Sequence, residues 1–379
     1  MDFALSTEQT ALRERVSDFC GMHCRPEQEA TRDRERGYPS DLHRAMAEAG
    51  ILGYCLPQAY GGSGGGPVEL CLINEELGRH STSATNILFI NGICAALISL
   101  AGREDQKQHY VSGIAQGRLR FAFALTEPGA GSDAAGIQAR AVRDGGSYVI
   151  NGTKLYTTGA ADADFILTVV RTAMEGKASR GTSLLIVPRQ SAGLTVTPLE
   201  KIAGNNIASC RVDYQDVRIV QSACLGGEHQ GWSVLMLGGS LERLSVAASC
   251  VGMARAVFDE ALAHVTAREQ FGQPVSQFQA IQHQLADMAT RTEAMRLLTY
   301  SAAWKVAQGV AAVKEVSMAK VFASEGINEI VSYGMRLLGA KAYLNDTPMP
   351  RRLRESLLAL YAGGTAEIQR NLIARSLGI

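Results

Sequence analysis

The stretch LGGSLERLSVAASCVG, residues 237–252, contains one carboxylate and one guanidinium, Glu242 and Arg243. They are the only charged residues between Trp232 and Met253. A carboxylate set among Leu, Val and Ala loses hydration in its charged form, which raises its pKa toward the ~6–7 range useful for taking a proton from carbon. The chemistry this points to is general-base proton abstraction. The competing reading is a solvated helix residue, with Arg243 pointing elsewhere because positions i and i+1 do not share a helix face. The stretch alone leaves both open.

Other chemistries find less support. There is no GxxxxGK[ST] phosphate cradle and no GxSxG hydrolase elbow. The seven His show no HExxH spacing, and the eight Cys form no CxxC pair, Cys20 and Cys24 being the closest. Reduced, buried thiols are therefore expected rather than a metal site. GAGSDA at 129–134 satisfies GxGxxA, yet AGIQARAVRDGGSYVINGTKL follows and soon becomes strand. Dinucleotide binding needs a helix directly after the glycines, so the segment reads as a Gly-rich turn. With 37 basic and 37 acidic residues the net charge is zero, which gives no support for a nucleic-acid partner. The N-terminal MDFALSTEQTALRERV resembles neither a signal nor a transit peptide. The charge-free stretch Ser81–Gly102 is broken by Ser, Thr, Asn and Gly and reads as a buried helix rather than a membrane span. A cytoplasmic protein without a membrane partner is the expectation.

The elements that must position Glu242 fall into three textures. At ~150 residues per domain, 379 residues imply two or three domains. Residues 1–120 read as an N-terminal all-α domain. STEQTALRERVSDF opens on an N-cap, Ser6, and PSDLHRAMAEAGI ends at Gly50. Residues 121–228 read as a middle β domain, a small barrel or sandwich, in short β-branched runs such as RFAFALTE, SYVINGTKLYTT and TSLLIVP. Residues 229–379 return to helical period. Phe278, Ile281, Leu285, Met288, Thr292, Met295 and Leu298 form one apolar stripe; Val313, Val316, Val321, Phe322, Ile327 and Ile330 form another. A C-terminal four-helix bundle is expected, making the fold α+β and multi-domain.

Four ordered strings, FALTEPGAGSD (123–133), NGTKLYTTGA (151–160), REQFGQPVSQFQAIQHQLADM (268–288) and GGTAEIQR (363–370), resemble the acyl-CoA dehydrogenase family. The resemblance spans nearly the whole chain. It implies one FAD per subunit, its ring between the β domain and the bundle. By this resemblance Leu125, Thr126, Gly131 and Ser132 would contact the flavin, Tyr156 would offer an aromatic face where many relatives have Trp, and the Thr158 hydroxyl would lie near flavin N5. Arg268, Phe271 and Gln279 match positions that touch the FAD of a neighbouring subunit, which implies a homodimer or homotetramer. Thr365 and Glu367 in GGTAEIQR are further cofactor positions. One segment departs from the family: in RLLGAKAY (336–343) Arg336 stands where Gln is usual. Gly339 is kept, and Ala340 and Ala342 replace glycines.

The family's usual base is a Glu one residue before a GT pair. Here that residue is Gly363, which cannot take a proton, though its N–H could serve a thioester carbonyl. The long-chain and isovaleryl-type branch carries the Glu on a bundle helix in an LER context, and SLERLSVA (240–247) matches it. The resemblance therefore implies Glu242 as base, Arg243 as its electrostatic support, and an FAD-dependent α,β-dehydrogenation of an acyl-CoA or acyl-carrier-protein thioester. Electrons would pass to an electron-transferring flavoprotein. An enoyl-thioester reductase, an FMN-using monooxygenase of the same fold and a redox-silent thioester-binding protein are the alternatives.

Overall fold

The computed structural model describes residues 4–173 and 180–379. Helices precede residue 120, strands occupy the middle third, and helices return from Gly231. By packing, the chain divides into two compact units. The first comprises residues up to Asp33, Gly66–Thr85 and Ser240–Ile379; the second comprises Arg34–Gly65 and Asn86–Gly239.

In the first unit, helix Thr7–His23 opens as its sequence predicts. The Ser6 hydroxyl accepts from the Gln9 N–H at 3.1 Å while the Gln9 side chain accepts from the Ser6 N–H at 3.1 Å. This satisfies two orphan donors at once. The core is formed by helix Gly231–Ala267, from Leu244 onward, with helices Gln279–Ala307 and Val313–Leu338. The expected stripe on Gln279–Ala307 turns inward at Met288, Thr292 and Met295, but its end differs. Leu298 is 38% exposed and Thr299 is buried, its hydroxyl bonded to the Met295 carbonyl at 2.8 Å. The helical step from Met295 favours i+4, and Thr is tolerated there because its hydroxyl finds a backbone acceptor. On Val313–Leu338, Val316, Ile327 and Ile330 are buried as expected. Val313 is exposed, and Lys320 takes a fully buried place on the stripe.

Helix Pro67–His80 crosses Gly231–Ala267 at backbone contact. A Cβ on Gly252 would lie 1.8 Å from the Glu75 carbonyl oxygen and 2.8 Å from the Arg79 nitrogen. Neither atom belongs to a flexible side chain, so the helices would have to separate. Gly252→Ala is expected to destabilise the protein by roughly 3 kcal/mol, read as a lowered urea midpoint with an unchanged slope.

The second unit is built on one eight-stranded sheet. Its strands are β1 Phe121–Ala124, β2 Arg140–Asp144, β3 Ser147–Thr158, β4 Phe165–Arg171, β5 Thr182–Pro188, β6 Leu194–Leu199, β7 Ser209–Val220 and β8 Cys224–Leu225. The order is β6-β7-β3-β2-β4-β5-β8, with β1 parallel to β4. Strands β4 and β5 read as continuous apolar runs because both their faces are covered. Leu167, Val169, Leu184 and Ile186 pack into one core; Ile166, Val170, Leu185 and Val187 pack into the other. The charge-free stretch forms helix Thr82–Ala101. It is apolar enough by length and composition to cross a membrane, and its Cys94, Leu97 and Ile98 are buried in the first of these two cores. The Gly-rich turn at 129–134 is followed by a single 3₁₀ turn, Ala134–Gly136, and then β2. No helix stands there to receive a dinucleotide phosphate.

Candidate active site

Glu242 lies on helix Gly231–Ala267 with its side chain half-buried. Burial raises its pKa above the ordinary carboxylate value, and the charges of Arg243 and Lys320 oppose the rise. Among the described residues, none donates a hydrogen bond to its carboxylate.

Across from it runs the turn Gly363–Gly364, both residues left-handed, with φ of 68° and 90°. A Cβ on Gly363 would sit 3.8 Å from Glu242 Cγ, 3.7 Å from Val246 Cγ2 and 3.9 Å from Arg243 Cγ. The two positions paired in the sequence are thus neighbours in space. The turn is secured through its carbonyls. Lys320 Nζ donates to the Gly364 carbonyl at 2.7 Å, and Gln369 Nε2 donates to those of Gly363 and Gly364 at 3.0 and 3.2 Å. Thr365 caps the helix that follows, its hydroxyl accepting from the Ile368 N–H at 3.3 Å. Glu367 is exposed in the first turn of that helix. The sequence reading missed Lys320 and Gln369. Gln369 lies inside GGTAEIQR and could have been singled out; Lys320 carried no signal.

In the second unit, a bulge shapes the next group of residues. Lys154 pairs with Val212 and Thr157 with Cys210, so β3 carries one residue more than β7. Tyr148, Ile150 and Lys154 point inward up to that point, and Thr157 does so after it. The extra residue releases Tyr156 from the interior. Its φ is 57° and its side chain is 66% exposed, which rules out a strand-core role. A non-glycine residue held at positive φ stores strain, which the surrounding sheet must sustain. Thr158 is half-buried and shares a hydrogen bond with Ser209 Oγ at 2.8 Å.

Lys154 anchors the turn beside this bulge. Its ammonium, fully buried, donates to the Leu125 carbonyl at 2.9 Å and to Glu127 Oε1 at 2.7 Å. Glu127 in turn accepts from the backbone N–H groups of Ala139 and Gln138, at 2.9 and 2.6 Å. Burial brings the Lys154 pKa down to about 8 despite the carboxylate. One ion pair therefore fixes both ends of the turn containing Gly131 and Ser132, which are themselves exposed. A Cβ on Gly129 or Gly131 would meet nothing within 4 Å. Internal packing does not require glycine there.

The remaining positions are on the surface of the first unit. Arg268, Phe271 and Gln279 are all exposed. Phe271 and Gly272 form the tip of a two-residue hairpin between Glu269–Gln270 and Gln273–Pro274, with φ of 53° and 79°. Such a tip favours Asn or Gly over Phe, and Phe271 is 95% exposed. In segment 336–343, Arg336 and Gly339 are exposed. Gly339 alone in that segment has positive φ, 61°. Ala340 and Ala342 adopt ordinary backbone, so the alanines fit without strain.

Sequence models of the acyl-CoA dehydrogenase N-terminal, middle and C-terminal domains match residues 6–118, 122–217 and 229–378. The probable acyl-CoA dehydrogenase YngJ of Bacillus subtilis is 36% identical over the full length of both chains. The caffeyl-CoA reductase-Etf complex subunit CarC of Acetobacterium woodii is 33% identical, over 97% of this chain and 98% of its own. Among solved structures, the FAD complex of PigA superposes with a TM-score of 0.96 at 28% identity, covering 100% of this chain and 99% of that one. The chain belongs to the acyl-CoA dehydrogenase family and is a flavoprotein oxidoreductase of that type.

Proposed function

We propose that this protein dehydrogenates an acyl thioester, carried by coenzyme A or by an acyl carrier protein, between its α and β carbons, with Glu242 as the base. The observation that carries this reading is the half-buried Glu242 carboxylate, its pKa raised, beside Gly363, the position at which the family resemblance leads one to expect a base. An α-proton beside a thioester is weakly acidic. The base must be close, and the carbonyl oxygen needs a donor as charge builds on it. Glu242 accepts the proton, and the Gly363 N–H serves the carbonyl. Arg243 keeps the carboxylate ionised against the desolvation that makes it basic.

When bound, FAD supplies the acceptor for the hydride leaving the β carbon. The residues present fit it. An exposed aromatic on a strained bulge beside an open, anchored glycine turn suits a planar ring with polar edges. Leu125, Thr126, Gly131, Ser132, Tyr156 and Thr158 would contact that ring; in the first unit Arg336, Gly339, Thr365 and Glu367 are, by the resemblance, further cofactor positions. The strained, exposed Phe271 tip, with Arg268 and Gln279, would reach the cofactor of another copy in a homodimer or homotetramer. CarC's description as a subunit of an Etf complex supports an electron-transferring flavoprotein as electron partner. The same description favours one second reading, an enoyl-thioester reductase, in which Glu242 returns the proton.

The test begins with the flavin extracted from purified protein, which should be FAD. Anaerobic titration with straight, branched and carrier-bound acyl thioesters should then bleach it with at least one member of the set. FMN, no flavin, or a flavin indifferent to every acyl and enoyl thioester would sink the proposal.

A further inference from the structure

Lys320 is a cation that this scheme does not use. It lies within helix Val313–Leu338, fully buried, and its ammonium donates to the Gly364 carbonyl at 2.7 Å. Burying an ammonium is costly unless charge nearby compensates it. Lys154 illustrates the usual solution, a carboxylate oxygen at 2.7 Å. Lys320 instead has a neutral carbonyl as its hydrogen-bond partner, and that carbonyl belongs to the residue next to Gly363. The charged and titratable groups facing it come from two helices. Glu242, Arg243 and Cys250 lie on Gly231–Ala267, and Glu367 lies on Ala366–Ser376.

A lysine that only tied a helix to a turn would bear no relation to Glu242. Here the turn it holds is the one that faces the Glu242 side chain, close enough that a Cβ on Gly363 would meet Glu242 Cγ at 3.8 Å. Given Glu242 as the base, we propose that Lys320 is its positioning residue: the ammonium pins the Gly363–Gly364 turn against Glu242 and favours the ionised form of that carboxylate. The electrostatics agree in both directions. Burial lowers the Lys320 pKa to about 8, with Arg243 lowering it further and Cys250, Glu242 and Glu367 raising it. Lys320 in turn pulls the Glu242 pKa down against desolvation. At neutral pH the lysine keeps most of its proton, so its charge is present when the base must be free to accept one.

The sign of the effect is fixed. Removing a cation near a carboxyl group disfavours its charged form and raises its pKa. The carboxylic C=O infrared band of Glu242, identified by its loss in E242Q, is titrated in the purified holoprotein. K320Q keeps a hydrogen-bond donor but no charge. It should move the midpoint of that band up by about one pH unit, a tenfold change in ionisation, with the acid limb of acyl-thioester bleaching moving alongside. K320R should lie close to wild type. An unchanged midpoint in folded K320Q overturns the proposal.

Losing a buried lysine can also unfold a protein, so the reciprocal measurement stands beside this one. Coupling between two groups acts equally in both directions. Among the described residues, the buried Lys154 and Lys320 and the half-buried Lys201 are the lysines whose pKa falls to about 8. In E242Q with ¹⁵N-labelled lysine, one of these three low midpoints should fall further while the other two stay fixed. No movement among them overturns the proposal. Bleaching that survives in E242Q overturns the base assignment, and with it any part for Lys320 in catalysis, while the two titrations still report whether the groups are coupled.

Discussion

Glu242→Gln should leave a yellow protein whose flavin is bleached by acyl thioesters at least ~10²-fold more slowly, a barrier increase of about 2.7 kcal/mol. The substitution keeps the side-chain volume and removes only the ability to take a proton. The carboxylate receives no hydrogen bond from the described residues, so its loss orphans no donor and folding should survive. Flavin content should also survive, because the positions proposed to hold the cofactor are other residues. The measurement is stopped-flow bleaching under anaerobic conditions at a pH where wild type is fully active. Wild-type rates in a flavin-replete variant would show that the proton leaves to some other group.

The second large effect concerns stability. Lys154→Met removes an ammonium of similar length from a position with no exposed surface and leaves Glu127, nearly as buried, without its counter-ion. Breaking one side of such a pair costs ~3–5 kcal/mol, far more than any surface ion pair in this chain would. The double variant Lys154→Met/Glu127→Gln should recover a large part of the loss, since the stranded charge, rather than the missing attraction, dominates the penalty. Urea unfolding followed by tryptophan fluorescence and circular dichroism reads both. The single variant should also release flavin more readily, because Glu127 ties the backbone of Gln138 and Ala139 to the turn bearing Gly131 and Ser132. A single variant as stable as wild type would mean that Lys154 does not anchor the turn.

Much of the fold was legible because it rests on periodicity. The β-branched runs RFAFALTE, SYVINGTKLYTT and TSLLIVP became strands, and Ser6 became the cap its residue type announces. The proximity of Glu242 to Gly363 was legible only through the family resemblance, since they stand 121 positions apart along the chain. What escaped was of another kind. Lys154, Lys320, Glu127 and Gln369 are polar residues in the interior, and a scheme that assigns charge to the surface passes over them. Thr299 in place of Leu298 at the end of a stripe is the same error on a smaller scale. The bulge that exposes Tyr156 went unseen for a different reason: no pattern of residue types announces where a strand gains one residue.

That inserted residue in β3 separates two jobs that neighbouring positions of a strand normally share. Outside the ladder, position 156 can exchange one aromatic for another, or lose it, without opening a void in either core of the sheet. Two residues earlier, at Lys154, no such latitude exists. Lineages of this fold are thus free to retune the surface offered by the bulge while the pillar beneath it stays constant, and a one-residue deletion between them would forfeit both at a stroke.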